Sequence, residues 1–165
     1  MTDLLPPAIA DLASWSAWAP FTEAVVSAPT ASGVYLVRVV NGPLVYVGMA
    51  GERRGRGLRG RLAVYRSGKA ATSGLGEAAL NRALADPTFV QARLDDLAAG
   101  RARTARGWAA AALTHTALAV RWATTPDRTA ALSLERTVLL ALTDQDLWNV
   151  AKPGTTRGTL DAGDA

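Results

Sequence analysis

Alternating apolar residues in the first third of the chain predict a β-hairpin. The segments Gly33–Val40 and Leu44–Gly48 are rich in β-branched residues, and an Asn-Gly turn signal separates them. Because side chains alternate between the two faces of a strand, Tyr46 should share a face with Leu44. We therefore expect two antiparallel strands that carry Tyr35 and Tyr46 at neighbouring positions.

Helical patterns dominate the rest of the chain. Ala117–Ala123 alternates again and predicts a third strand, and Pro126 is suited to the first turn of a helix that runs to about Leu142. Alanine-rich segments between the hairpin and the third strand favour helix. The predicted helices there are Leu58–Arg66, Leu75–Ala85, Phe89–Ala99 and Arg101–Leu113.

This order predicts a small mixed α/β (α+β) domain with a three-stranded sheet over residues 31–150. Residues 1–30 are expected to form a packing arm with one short helix near Ala8–Trp18. Residues 151–165, which contain a Pro-Gly pair and few apolar side chains, are expected to form a mobile tail.

Composition excludes several kinds of site. The chain has 165 residues, of which 49% are hydrophobic and 19% charged, as in ordinary globular domains. It has no cysteine, which excludes disulfides and thiolate metal sites, and its one histidine, His115, argues against a histidine-based zinc site. No apolar run is long enough to cross a bilayer, and the N-terminal residues lack the pattern of a signal peptide. We therefore expect no membrane association and a cytoplasmic location.

Basic residues are concentrated directly after the hairpin. The net charge is only +4, but one short segment carries many of the cations. Such a cluster is typical of a surface that binds a polyanion, although a solvated loop and helix face would have the same composition. The candidate nucleic-acid-binding residues are Arg53, Arg54, Arg56, Arg59, Arg66 and Lys69, and Arg61 lies among them.

Two helical positions combine polar chemistry with an apolar face. Glu135 lies in the middle of the apolar stripe of the last predicted helix, where a carboxylate is costly unless it is paired, protonated or bound to a cation. A buried ion pair with an arginine is the alternative. Arg61 and Tyr65 are one turn apart and could bind the same anionic group, although an amphipathic helix with a snorkelling arginine gives the same spacing.

Taken together, these residues resemble the signature of the GIY-YIG nuclease family, which includes the nuclease domain of excision-repair incision enzymes and several homing and restriction endonucleases. The two halves of the signature are Gly33-Val34-Tyr35 and Tyr46-Val47-Gly48. The family arginine and the aromatic residue four positions later match Arg61 and Tyr65. The family glutamate matches Glu135, and the family asparagine matches Asn149.

The resemblance implies a three-stranded antiparallel sheet flanked by helices, with a helical insertion before the third strand. It implies a metal-dependent endonuclease that hydrolyses phosphodiester bonds in nucleic acid, DNA being favoured over RNA. Glu135 would bind one Mg²⁺ or Mn²⁺ ion and should lie on the concave side of the sheet, near the tyrosines.

The family also implies roles for the other matched residues. Arg61 would hold the scissile phosphate, and Tyr35 would orient or deprotonate the attacking water with help from Tyr46 and Tyr65. A tyrosine acting as a base would need a lowered pKa or a proton acceptor in relay. The supporting residues of the site would be Gly33, Gly48 and Asn149.

One departure leaves an alternative open. Met49 stands in the region where many family members carry a lysine. The chain could therefore be a nucleic-acid-binding module of the same fold with weak or no turnover. It could also be a structural protein whose arginines bind an acidic partner.

Overall fold

An antiparallel sheet of four strands forms the centre of the protein. The computed structural model describes residues 5–52 and 56–149, so Arg53, Arg54 and the predicted tail lie outside the described residues. The strand order is β1-β4-β2-β3, which places β3 at one edge. The strands are β1 Ala19–Pro20, β2 Gly33–Val39, β3 Leu44–Ala50 and β4 Leu118–Thr124.

Seven helices are present in the described part of the chain. They are α1 Pro7–Ala10, α2 Phe21–Ser27, α3 Gly57–Arg66, α4 Gly74–Leu84, α5 Pro87–Ala98, α6 Ala105–His115 and α7 Arg128–Ala141. The mixed α/β class is confirmed. None of these helices has both the length and the apolar character of a membrane span.

The prediction of three strands was wrong, because β1 adds a fourth. Ala19 pairs with Val120 and Pro20 with Ala119. A two-residue strand that ends in proline carries no periodic signal, and proline is tolerated only at such an edge because it has no N–H to donate. A short helix does occur near Ala8–Trp18, but it is only one turn long because α1 ends at Ala10. A second helix, α2, begins at Phe21 and was not predicted.

Each face of the sheet is covered by its own apolar cluster. On one face, Tyr35, Tyr46 and the apolar side chains of β4 pack against α2, α3, α4 and α6. On the other face, Val34, Leu36 and Val47 pack against α7 and the N-terminal segment. The helix α7, which carries Glu135, therefore lies on the opposite face of the sheet from the tyrosines. The sequence predicts Glu135 on the same side of the sheet as the tyrosines, so the helix lies on the other side from the one predicted.

A β-bulge changes which side chains of β3 share a face. Val37 pairs with Tyr46 but Arg38 pairs with Leu44, so one residue of β3 is skipped. As a result Val45 and Tyr46 both join the tyrosine face, while Leu44 packs in the opposite cluster. The expectation that Leu44 shares a face with Tyr46 was wrong, because strict alternation does not hold across a bulge.

Side-chain caps set the start of three helices. Asp127 is the N-cap of α7, and its side chain accepts a hydrogen bond from the backbone N–H of Ala130, so Pro126 precedes the cap instead of opening the first turn. Thr104 caps α6 in the same way, which starts that helix four residues later than Arg101. Asp86 caps α5 and also contacts the His115 ring at 2.7 Å.

The helices α4 to α6 form an inserted subdomain that docks on the end of α3. Gly68 follows α3 with φ of 71°, and a Cβ at this position would overlap the backbone oxygen of Arg106 at the start of α6. Only glycine both adopts this conformation easily and permits such a close approach. Gly68 therefore joins the insertion to the helix that carries Arg61 and Tyr65.

We predict that Gly68→Ala destabilises the protein more than Gly100→Ala does. Gly100 has φ of 74°, but nothing lies within 4 Å of a Cβ placed there. The Gly100 variant should lose about 1–2 kcal/mol from left-handed backbone strain alone. The Gly68 variant should lose a further ~1–3 kcal/mol, because α6 must move away from α3. Urea denaturation measures the free energy of unfolding of both variants. Equal losses would show that the contact between Gly68 and α6 does not contribute to stability.

Candidate active site

Three tyrosines meet inside the protein, between the sheet, α3 and the start of α4. The hydroxyls of Tyr35 and Tyr65 are 3.1 Å apart, and the rings of Tyr35 and Tyr46 stack with centroids 6.2 Å apart. Relative exposures are 1% for Tyr35, 4% for Tyr65 and 9% for Tyr46. A Cβ on Gly74, the first residue of α4, would lie 3.0 Å from the hydroxyls of both Tyr46 and Tyr65. The insertion therefore covers the cluster, and Tyr46 is its most exposed member.

Gly33 and Gly48 make this arrangement possible. Gly48 lies opposite Tyr35 in the β2–β3 register, and a Cβ there would overlap the end of the Tyr35 ring. The side chain of Tyr35 thus crosses β3 at Gly48, a position that has no side chain. A Cβ on Gly33 would lie 2.8 Å from Leu58 Cδ1 and overlap the backbone of β4, so this glycine lets α3 approach the sheet closely.

Burial keeps two of the phenols protonated. It raises the pKa of Tyr35 well above its ordinary value, with further increases from Tyr65 and Tyr46. It also raises the pKa of Tyr46, with further increases from Tyr65 and Glu135. The positive charge of Arg61 lowers both pKa values but does not compensate for burial. Both residues are therefore neutral hydrogen-bonding groups near pH 7. A lowered pKa, one of the two conditions for a tyrosine base, is not present at either position.

Glu135 acts electrostatically on the tyrosine cluster, although α7 packs on the other face of the sheet. It is half-buried, and burial raises the pKa of its carboxyl group. Arg61 and a backbone hydrogen bond from Met49 lower this pKa, but by less than burial raises it. Glu135 in turn contributes to the raised pKa of Tyr46. Among the described residues no cationic nitrogen lies within 4 Å of its carboxylate, so the buried ion pair is not formed there.

Asn149 holds the C-terminal segment against the same edge. Its Oδ1 accepts from the backbone N–H of Val47 at 3.1 Å, and its Nδ2 donates to the carbonyl of Val47 at 2.8 Å. The preceding residue, Trp148, donates its N–H to the carbonyl of Val45 at 2.6 Å. Val47 lies between Tyr46 and Gly48, so the amide of Asn149 fixes the strand at the centre of the signature.

The basic residues of the cluster have different environments. Arg59 Nε donates to the carbonyl of Ala28 at 2.8 Å, and Arg66 Nη1 donates to that of Thr22 at 3.2 Å. These two arginines therefore tie α3 to α2. Arg61 is exposed and has no hydrogen bond or ion pair within the part of the chain that the structure describes. Arg56 and Lys69 are also exposed.

A cleft of about 340 Å³ opens between the end of β3, α3 and the start of α7. Three arginines line it, namely Arg56, Arg61 and Arg128, together with Gly51 and Met49. Arg128 was not singled out from the sequence. Its spacing from Glu135 could have identified it. Arg128 lies seven residues before Glu135, which is close to two helical turns, so both side chains lie on one side of α7.

The donor set for a cation at this site is small. No group of three or more histidine, aspartate and glutamate side chains comes together in residues 5–52 and 56–149. Glu135 is the carboxylate whose charge affects the pKa of Tyr46, and its own pKa is lowered by Arg61. A metal ion here would therefore take one protein carboxylate.

Comparisons with protein-family models, with curated proteins and with solved structures found no match for this chain.

We predict that Gly48→Ala displaces Tyr35 and lowers the free energy of unfolding by about 1–3 kcal/mol, the usual range for overpacking. The ring cannot give way easily, because Tyr35 is only 1% exposed and is packed on both sides by the other two tyrosines. The variant Tyr35→Leu removes the atoms that a Cβ at Gly48 would overlap. Denaturation of both single variants and the double variant should therefore give clearly non-additive losses. Additive losses would mean that Gly48 does not accommodate Tyr35.

Proposed function

We propose that this protein is a metal-dependent endonuclease that hydrolyses phosphodiester bonds in nucleic acid, DNA being favoured over RNA. The observation that carries the proposal is the environment of Glu135. This half-buried carboxylate has no ionic partner within 4 Å in the described part of the chain, and its charge interacts with Arg61 and Tyr46. Carboxylates whose pKa is shifted both by burial and by a cation are typical of functional sites. The residues involved also follow the order of the GIY-YIG signature.

The residues present fit a hydrated Mg²⁺ or Mn²⁺ ion held by Glu135. Magnesium commonly keeps several water ligands and needs only one or two protein carboxylates. A partly desolvated carboxylate without a paired cation gains stability from such an ion. When bound, the metal would supply charge neutralisation at the phosphate and stabilise the leaving oxygen.

Arg61 is the residue best suited to the scissile phosphate. Its guanidinium is exposed in the cleft and makes no hydrogen bond to the described part of the protein, so its donors are free for a ligand. A guanidinium offers a planar fork of donors that matches two phosphate oxygens. Its charge would stabilise the phosphate most as negative charge develops in the transition state.

Among the three tyrosines, we propose that Tyr46 orients the attacking water. Its hydroxyl belongs to the most exposed of the three phenols, and it is the one whose pKa responds to Glu135. A neutral phenol can donate one hydrogen bond and accept another, which is sufficient to orient a water molecule. Tyr35, which the family pattern would give this role, is almost fully buried and hydrogen-bonds Tyr65. We therefore treat Tyr35 as a positioning residue.

The direct test is incubation of the purified protein with plasmid, linear duplex and single-stranded DNA and with RNA, in the presence of Mg²⁺, Mn²⁺ or EDTA. We expect metal-dependent cleavage, with DNA cut faster than RNA. Binding without cleavage under every metal condition would support the nucleic-acid-binding module and contradict the nuclease.

We predict that Glu135→Gln abolishes metal-dependent cleavage while the melting temperature stays close to that of the unmodified protein. Glutamine keeps an oxygen that can accept from Met49 but removes the charge that a metal ion requires. Stability should be retained because burial already disfavours the ionised carboxylate and no ion pair is broken. Glu23→Gln, at an exposed position on α2, serves as the control and should leave cleavage unchanged.

The opposite pattern would identify a structural glutamate. Loss of a buried ion pair costs roughly 3–5 kcal/mol, which would appear as a large drop in melting temperature. A Glu135→Gln variant that still cuts at the normal rate would contradict the assignment of the metal ligand.

We predict that Arg61→Ala lowers turnover more than it lowers DNA binding. Loss of one donor that acts on transition-state charge costs on the order of 2.7–4 kcal/mol, or about 10²–10³ in kcat. The control is Lys69→Ala, which removes a charge from the same basic segment outside the cleft and should affect only binding. Single-turnover rates and DNA affinities measured in parallel separate the two effects. Equal losses of turnover and binding would make Arg61 an ordinary backbone contact.

A further inference from the structure

Three arginines from two segments far apart in the chain converge on one cleft. Arg56 precedes α3, Arg61 lies within α3, and Arg128 is the first residue of α7. All three are exposed, and none has a hydrogen bond or ion pair to the described part of the chain. Cations brought this close together repel one another, so the arrangement is unfavourable for the free protein unless an anion occupies the cleft.

The position of Arg128 has no evident role in stabilising the fold. It occupies the first turn of a 14-residue helix, where the helix dipole disfavours positive charge. The preceding Asp127 uses its side chain to cap Ala130, and it forms no ion pair with Arg128. Arg59 and Arg66 differ in this respect, because their side chains bond to the backbone of α2.

Gly51 makes room for the Arg128 side chain. A Cβ on Gly51 would lie 2.9 Å from both Cγ and Cδ of Arg128. The aliphatic part of the arginine thus lies directly on the backbone just after β3, and its guanidinium lies at the cleft that also contains Arg61. Met49, two residues before Gly51, lines the same cleft without a charge.

The basic surface continues beyond this cleft along α3. A second groove on α3 is lined by Arg56, Arg59, Arg66 and Lys69, and it shares Arg56, Gly60 and Val64 with the first. The ten residues of α3 span about 15 Å, whereas phosphates along one DNA strand are spaced by about 3.4 Å of helix axis. The two adjoining grooves therefore suit a chain of phosphates better than a single small anion.

We propose that Arg56, Arg61 and Arg128 form a binding site for consecutive phosphates of a nucleic-acid backbone, in which Arg128 holds the phosphate next to the one held by Arg61. The identity of the ligand rests on the proposed nuclease function. Met49, near the end of β3, has no charge. In this site Arg128 of α7 supplies the positive charge instead. Arg128 acts by binding and positioning the strand, while Glu135, two turns further along the same helix, is the proposed metal ligand.

The test is the salt dependence of DNA binding, measured in EDTA so that no cleavage occurs. A short duplex DNA is titrated with the unmodified protein and with Arg128→Ala and Arg128→Lys between about 50 and 200 mM salt. Arg128→Ala should reduce the slope of log affinity against log salt by about 0.9, the value for one phosphate contact, and weaken binding about eight-fold at 0.1 M salt. Arg128→Lys should keep the slope, because it keeps the charge.

The matched control is Arg136→Ala, which removes an exposed arginine of the same helix outside the cleft. It should leave both slope and affinity unchanged. A slope that Arg128→Ala leaves unaltered would overturn the proposal, as would equal effects of Arg128→Ala and Arg136→Ala. Inorganic phosphate could also raise the melting temperature only when Arg128 is present, while Arg128→Ala leaves the salt dependence of DNA binding unchanged. This result would show that the cleft binds free anions, and it would overturn the proposal.

Failure of the nuclease proposal would look different. If Arg128→Ala reduces the slope but no metal ion supports cleavage, the phosphate site stands and the endonuclease proposal falls. If cleavage depends on Glu135 but Arg128→Ala does not change the salt dependence of DNA binding, the endonuclease proposal stands and the inference about Arg128 falls. If the protein binds no DNA at all, both fall.

Discussion

Among the described residues, no further strand pairs with the backbone donors and acceptors at the outer edge of β3. The candidate site depends on how these groups are satisfied. Trp148 bonds Val45, the Asn149 side chain bonds Val47 twice, and Met49 interacts with Glu135. Unpaired backbone groups at a sheet edge are costly when buried and invite association with other chains. Here the groups that cover the edge include the carboxylate proposed to bind metal, so edge protection and active-site geometry have one structural basis.

The site combines two electrostatic environments that differ sharply over a short distance. The phenols of Tyr35 and Tyr46 are buried and remain neutral, so they supply fixed dipoles and not charge. The neighbouring cleft is open and lined by arginines that lack protein partners among the described residues. The charge of Glu135 interacts with one group of each environment, Tyr46 and Arg61. A preorganised neutral network beside an exposed cationic surface is suited to a substrate that brings its own negative charge.

Local patterns were sufficient to predict the parts of the fold with strong periodicity. The hairpin, β4 and α7 appear close to their predicted bounds, and the spacing of the signature residues identified the tyrosines that the fold brings together. Features that arise from pairing with distant residues could not be predicted. The strand β1 exists only because β4 lies beside it, and Leu44 changes face because of a bulge. Arg128 gains its position from Gly51, more than seventy residues earlier in the chain.

The bonds between Asn149 and Val47 join residues 102 positions apart in the chain. Contacts of such large sequence separation form late in folding, because the entropy of closing the intervening loop must be overcome first. The hairpin and the inserted helices are built from local contacts and can form earlier. During synthesis from the N-terminus, the chain therefore carries its tyrosines and its basic helix well before Glu135 and Asn149 leave the ribosome. The arrangement proposed to hydrolyse nucleic acid is therefore complete only after the segment that contains Asn149 has been synthesised.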